Sequence, residues 1–518
     1  MIGALALRVA GLDFGLPMAE ARPDELTVAF QAMKFGTGDL NPHSFNYPSL
    51  FKYVVFVLFG AYYAVGKAIG EFAGKDAFLL AFFDGAVTFR LIVRAFSAVM
   101  GTAAVALLLR APGGVYGASL LAVAFLAVRD SHFGVTDTTM VTLATAAALA
   151  CLAQDGSRRR AVLAGVLAGL ATSTKYNAAL LAVPIAIALR HEPRLLLTAA
   201  VAMVGAFVAT SPFVVLDFAT FRKDFLYEAS HLAKGHYVDV GGGWIHHVTH
   251  SLRYGVGLPI LVAGVVGLAA WTRREGWVLV AFPLAYYLAI GRGETAFFRY
   301  ALPLVPFLCM GAGWLIERWA RPRALWLALV AAPTLWATLQ ADRLFMAGDT
   351  RDAMGRWIEA NVPGDSVIVH AGAYTGAPML QRNVANQTRE YLAKQGRADA
   401  SGFRKPDDPR WYNHARPAYD VQFVRKDGID FASQVDVAAL AADPPPWLEV
   451  EESCLVHYSH VPDEVRALLS RYEAVHAERS HERCAAVFDQ QDAFYMPASR
   501  FTEFTRMGPN LTLYRRLE

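Results

Sequence analysis

Two acidic motifs, "RPDE" at 22–25 and "RDSHFGVTD" at 129–137, stand beside two cation–tyrosine pairs, Lys175-Tyr176 in "STKYN" and Arg299-Tyr300 in "FFRY". These residue types suit chemistry on a phosphate-linked substrate. A carboxylate such as Asp24, Glu25, Asp130 or Asp137 can take a proton from a hydroxyl or hold a metal ion. Lys and Arg neutralise a phosphate leaving group. Tyrosine suits the layer where lipid headgroups meet acyl chains. Arg94 and the stretch "NPHSFNYPSLFKY" (41–53), with Tyr47 and Lys52, join the set if the topology puts them on the same side. Each residue also has a plainer reading. Asp24 or Glu25 can cap the helix that starts at "ELTVAF". Asp130, His132 and Asp137 can be solvated loop residues, and Lys175 and Arg299 can snorkel from span ends.

The elements that must position these residues are apolar. The chain has 518 residues, 55% of them hydrophobic and 18% charged, with a mean hydropathy of +0.31. Soluble proteins carry about 25% charged residues. The charge is uneven: 45 charged residues fall in the 174 after position 344, against 48 in the first 344. The division predicts a membrane part, 1–344, and a water-soluble part, 345–518. No basic stripe interleaved with aromatics points to nucleic acid.

Apolar runs near 1–12, 86–109, 114–128, 138–153, 161–173, 177–189, 195–215, 251–271, 276–290, 299–316 and 323–340 predict about eleven transmembrane helices. The first run is short and holds Arg8, which reads as a span whose upstream portion is missing. The segment 49–70 carries Lys52, Lys67 and several tyrosines, and reads as an interfacial helix. That makes 13–85 one long outer loop with helical pieces. The basic hinges "QDGSRRRA", "RHEPR", "TRRE" and "ERWARPR" face the cytoplasm by the positive-inside rule. Both acidic motifs, Lys175 and Arg299 then share the outer face.

The last third predicts a small α/β domain on that same side. "DTRDAMGRWIEANVPGDSVIV" reads as a capped helix, a Pro-Gly turn and a buried strand. "YDVQFV", "CAAVFD" and "LTLYRRL" read as strands, and "PDEVRALLSRYEAVH" as a helix. Cys151 and Cys309 lie in apolar runs, while Cys454 and Cys484 lie in the soluble part, where an oxidising compartment permits a disulfide; sequence leaves that pairing open. His246, His247 and His250 in "WIHHVTH" have zinc-like spacing, but no carboxylate completes a motif, so no metal is assigned to them.

In order along residues 1–340, "PDE", "GDLNPHSFNYPSL", "RAFSAVMGT", "DSHFGVTD", "GLATSTKYNAALL", "SPFVVLD" and "FFRYALPLVP" resemble the GT-C membrane glycosyltransferases. Within these, the protein O-mannosyltransferase and lipid A aminoarabinose transferase families are the most similar. The resemblance implies an inverting transfer of a sugar from a polyprenyl-phosphate donor to a hydroxyl of a protein, lipid or glycan, at the non-cytoplasmic face of a bacterial cytoplasmic membrane. The family's catalytic acid maps onto Asp24, with Glu25 beside it and Asp137 in the second acidic loop. Arg94 matches the arginine that opens the next span. Lys175, Tyr176, Arg299, Tyr300, Tyr47 and Lys52 are the expected donor-binding residues, with Asp130 and His132 in support. Aminoarabinose transferases carry a lysine ahead of the proline where this chain reads Tyr47-Pro48; Lys52 or Lys175 would stand in for it. A divalent cation, Mg or Mn, is a possible cofactor of the acidic loops. The rival reading is a lipid-linked saccharide flippase, but such transporters place their charges near the bilayer midplane.

Overall fold

In the computed structural model, residues 1–394, 416–425 and 433–517 are described. The chain divides into two compact units. The first comprises Met1–Leu12, Arg22–Glu71 and Thr88–Asp342; the second comprises Asp13–Ala21, Phe72–Val87 and Arg343–Glu518.

The first unit is helical. Among the described residues, five helices reach the size and apolarity of a membrane span by length and composition: Leu50–Ala68, Val87–Leu108, Pro193–Thr210, Phe298–Trp319 and Arg323–Met346. Two bent pairs raise that to seven, and Thr136–Leu152, Tyr176–Ala188 and Val278–Ile290 are shorter apolar helices. Several of the eleven apolar runs fold as short or broken helices. Leu50–Ala68, expected along the interface, is itself one of the five.

Small residues let these helices meet at backbone distance. A methyl group on Gly267 would sit 2.0 Å from the Gly311 carbonyl oxygen, and one on Gly169 would sit 2.3 Å from that of Met203. Close approach through glycine replaces the hydrophobic drive that lipid removes. The breaks matter more for function, because they place polar residues. Gly114–Val123 and Phe125–Ser131 meet at 60°, and Gly243–Val256 and Leu258–Glu275 at 111°. Tyr176–Leu181 and Phe298–Leu304 wind as tighter 3₁₀ turns, which set Lys175 and Arg299 at helix starts.

The second unit carries a mixed sheet of seven strands: β1 (Val367–Ala371), β2 (Gln381–Arg382), β3 (Ala418–Val424), β4 (Gln434–Val435), β5 (Trp447–Glu452), β6 (Tyr472–Glu478) and β7 (Asn510–Arg516). The order is β2-β3-β1-β5-β7-β6, with β4 pairing β3. β1 runs parallel to β3 and β5, and β7 is antiparallel to β5 and β6. Both faces are covered. Met354 and Ile358 of the helix Thr350–Asn361 pack with Ile368, Val421 and Leu513; Leu440, Val465 and Leu468 pack with Val369 and Val450 on the other side. Asp349 caps that helix by accepting from the Arg351 amide.

Two sequence expectations fail here. The helix expected over 462–476 stops at Leu468, and Tyr472–Glu478 is a strand paired with β7. The segment pairs antiparallel with β7 at the sheet edge, with a register shift between Ala474 and His476. "CAAVFD" forms no strand, and its Cys484 is paired with Cys454.

Candidate active site

The site lies wholly in the first unit and begins at the helix Pro23–Lys34. Arg22 stands at its cap position without a side-chain cap bond, Pro23 opens the first turn, and Asp24 and Glu25 follow within it. Neither acid therefore caps this helix. Consecutive helical residues point about 100° apart, so the two carboxylates face different surroundings.

Glu25 faces inward and is 2% exposed. Arg94 Nε donates to its Oε1 at 2.9 Å and Arg94 Nη2 to its Oε2 at 2.8 Å. The Gly134 amide donates to Oε1 at 2.8 Å, and Arg94 Nη1 donates to the Leu12 carbonyl at 2.7 Å. Glu25, expected beside the catalytic acid, and Arg94, expected at the donor phosphate, meet each other in one buried ion pair. The pair is a clamp that fixes the first acidic motif to the second.

Asp24 faces outward, with its side chain 35% exposed. Arg299 Nη1 donates to Asp24 Oδ2 at 2.7 Å. Arg22 Nη2 lies 3.9 Å from the same oxygen, and its guanidinium covers the Phe133 ring at 4.7 Å. Lys175 Nζ donates to Asp137 Oδ1 at 2.6 Å and stands 5.3 Å from the Tyr300 ring and 6.0 Å from the Tyr47 ring. Tyr47 links the two ion pairs. Its phenol is pushed well above the ordinary range, first by the negative charge of Asp24 and then by burial, with Arg299 opposing and Asp137 adding to the effect. Its hydroxyl therefore stays protonated and able to donate.

The loop that carries Tyr47 is pinned on several sides. Lys52 Nζ donates to the Ser44 carbonyl at 2.7 Å and the Tyr176 hydroxyl donates to the Phe45 carbonyl at 3.0 Å. The Phe45 amide donates to Asp224 at 2.7 Å, and the Ser49 amide to the Ser211 hydroxyl at 3.0 Å. Lys52, 1% exposed, and Tyr176 thus build the loop instead of offering their polar atoms to a donor. Lys175, rather than Lys52, is the lysine at the acids. Asp130 is fully buried and paired with Arg129 at 2.8 Å. The ring nitrogens of His132 lie 2.9 Å from the Val128 carbonyl oxygen and 3.0 Å from that of Ala10. Both residues brace the second acidic motif through these contacts.

One carboxylate was not anticipated. Glu228, on the amphipathic helix Phe218–Lys234, is partly buried and held above its ordinary pKa by burial, with Lys175 opposing and Asp24 adding to the rise. The spacing of Asp224, Glu228 and His231 marks one polar face of a helix, and that periodicity was the available signal. Arg22 also went unassigned, although it precedes the motif.

Mg²⁺ or Mn²⁺ needs several oxygen ligands converging on one point; Asp24 and Asp137 pair here with Arg299 and Lys175. His246 and His250 stack with ring centroids 4.7 Å apart. Among the described residues, Cys454, His481 and Cys484 are the one group of three with metal-ligating spacing, and it lies in the second unit.

No family model matches the chain, and no curated protein matches it. Solved structures do. ArnT from Cupriavidus metallidurans bound to undecaprenyl phosphate is 13% identical, covering 98% of this chain and 96% of that one, with a TM-score of 0.49. The same protein in the apo state is 12% identical over 94% and 93%, with a TM-score of 0.46. The apo oligosaccharyltransferase of Archaeoglobus fulgidus is 11% identical over 71% and 61%, with a TM-score of 0.42. At TM-scores below 0.5 these likenesses carry none of the functional argument, which rests on the side chains.

Proposed function

We propose that the protein is an inverting glycosyltransferase that moves a sugar from a polyprenyl-phosphate donor to an acceptor hydroxyl, with Asp24 as the base. The observation that carries this reading is the juxtaposition of two ion pairs, Asp24–Arg299 at 2.7 Å and Asp137–Lys175 at 2.6 Å, beside Tyr47 and Tyr300. Asp24 is the acid with solvent access, and its partner is a cation able to turn to a phosphate.

In the reaction the acceptor oxygen attacks the anomeric carbon from the face opposite the phosphate. The acceptor O–H proton passes to the Asp24 carboxylate. The bond from the anomeric carbon to the phosphate oxygen breaks, and its electron pair leaves with the polyprenyl phosphate. Arg299 and Lys175 exchange part of their carboxylate contact for the phosphate and balance its growing charge. The Tyr47 hydroxyl donates to a phosphate oxygen or a sugar hydroxyl. Asp137 holds Lys175 in place, and Glu228 lines the acceptor side. The active face and the second unit lie on the outer side of a bacterial cytoplasmic membrane.

The test is transfer by purified protein from a labelled polyprenyl-phosphate sugar to membrane acceptors. General-base catalysis contributes about 10²–10⁴-fold, so Asp24→Asn is expected to lose that much at unchanged expression. Undiminished transfer by Asp24→Asn overturns the assignment.

A further inference from the structure

We propose that the second unit holds a site of a different kind: a Cys₂His metal centre that forms when the Cys454–Cys484 disulfide is reduced and takes a zinc-class divalent ion. The cystine joins Cys454, two residues beyond β5, to Cys484 in the loop between β6 and β7, with Cα atoms 5.0 Å apart. A disulfide needs only two cysteines, yet a histidine is aimed at this one. His481 Nε2 lies 3.0 Å from Cys484 Sγ, and one ligand atom from each of Cys454, His481 and Cys484 falls within 4.8 Å of the others. Tetrahedral zinc, with bonds of about 2.3 Å to sulfur and about 2.0 Å to nitrogen, spaces its ligands by about 3.5–3.8 Å. Side-chain torsions can supply that spacing once the sulfurs part.

The histidine is also fixed from behind, as metal ligands are. Its Nδ1 lies 2.8 Å from the Ser480 hydroxyl. The Asn510 side chain accepts from the Ser480 amide at 2.8 Å and the His481 amide at 3.3 Å, and donates to the His481 carbonyl at 2.9 Å. The Phe504 ring packs 5.0 Å from the imidazole. Cys454 and His481 are buried and Cys484 is exposed, so a bound ion would keep its fourth position toward solvent.

The chemistry balances. A dithiol gives two electrons and two protons to the cystine and becomes a disulfide itself, leaving two thiols on the protein. Metal binding displaces both thiol protons. Two thiolates and one neutral imidazole then hold a dication at zero net charge, with the imidazole proton on Nδ1 facing Ser480. The two states tie the same chain positions together, one through a covalent bond and one through a metal.

The experiment uses the full chain in detergent, reduced with a dithiol, freed of it anaerobically and titrated with Co²⁺. The reduced protein is expected to bind one equivalent with a thiolate-to-cobalt charge-transfer band, which Zn²⁺ then displaces. The oxidised protein is expected to show no band. Reduced Cys484→Ser is expected to bind at least about 100-fold more weakly, and reduced His481→Ala at least about tenfold more weakly. Elution volume and circular dichroism establish that each variant is folded. Buried Cys151 and Cys309 remain in every variant as thiol controls. A missing band in the reduced protein overturns the proposal, as does the same band in Cys484→Ser. A reduced protein that loses its elution profile and does not regain it with Co²⁺ overturns it as well.

Discussion

Replacing Glu25 by Gln asks whether this residue serves structure or chemistry. Its carboxylate is 2% exposed and is the counter-charge of Arg94, which is fully buried. Gln keeps the shape and an acceptor for the Gly134 amide, but it removes the charge that Arg94 Nε and Nη2 face. Removing one partner of a buried ion pair costs about 3–5 kcal/mol, because the other charge stays buried and unpaired. For a unit of more than 300 residues, at about 2.1 cal/mol/K per residue, 1 kcal/mol shifts the melting temperature by about 1.5 °C, so it is expected to fall by about 5–8 °C. Arg94→Leu is expected to cost a similar amount. The double variant Glu25→Gln/Arg94→Leu is expected to be more stable than either single one, because no buried charge is left alone. Thermal unfolding of the three variants in one detergent measures all of this. If Glu25→Gln melts with the wild type while transfer is lost, the clamp is refuted and Glu25 belongs to the chemistry.

Three further outcomes follow from other contacts. In the second unit, burial opposes charge on His370, but hydrogen bonds from the ring to Glu449 and Glu451 and their attraction outweigh it and push its pKa up to about 9. A folded pKa raised above the unfolded value of about 6.5 stabilises fully below pH 6.5, and that stability is lost as pH rises through about 9; the melting point of this unit is expected to drop over that window, and not to do so in His370→Gln. Reducing the disulfide without metal frees a loop with a sequence separation of 30, which the chain-entropy estimate puts at about 3.6 kcal/mol; denaturant midpoints with and without reductant check it. Lys175→Gln is expected to raise the donor KM by roughly 10–100-fold, from the loss of one charge-assisted contact of about 1.5–3 kcal/mol, and an unchanged KM would remove Lys175 from the phosphate site.

The legible part of this molecule was the part written in types and order. The helix Thr350–Asn361 announces itself by Asp349 at its cap and a Pro-Gly turn at its end. Asp24 and Arg299 are 275 residues apart in sequence, and the structure places them 2.7 Å apart; the sequence put both on one face only by reading 49–70 as an interfacial helix, a segment long and apolar enough to span. What the sequence could not carry was the direction each side chain takes. Asp24 and Glu25 are adjacent, yet Glu25 turns toward Arg94 and Asp24 toward Arg299. Lys52 and Lys175 looked equivalent as lysines near tyrosines; one is spent on the Ser44 carbonyl and the other on Asp137. Glu228 was hidden by its place in a loop whose helix shows only as a polar stripe. The edge strand Tyr472–Glu478 was masked by the helix-start signal of Pro462-Asp463-Glu464 just ahead of it.

The division of labour between Asp24 and Arg299 is tested most directly by measuring lipid binding and transfer on the same protein. Because Asp24 occupies Arg299 at 2.7 Å, it competes with a phosphate for that guanidinium. Native mass spectrometry of Asp24→Asn with a polyprenyl phosphate is expected to show binding equal to or tighter than wild type, while transfer is lost. Arg299→Gln is expected to weaken that binding. Binding that disappears together with transfer in Asp24→Asn, or transfer that survives there, contradicts the assignment of Asp24 as base and Arg299 as phosphate partner.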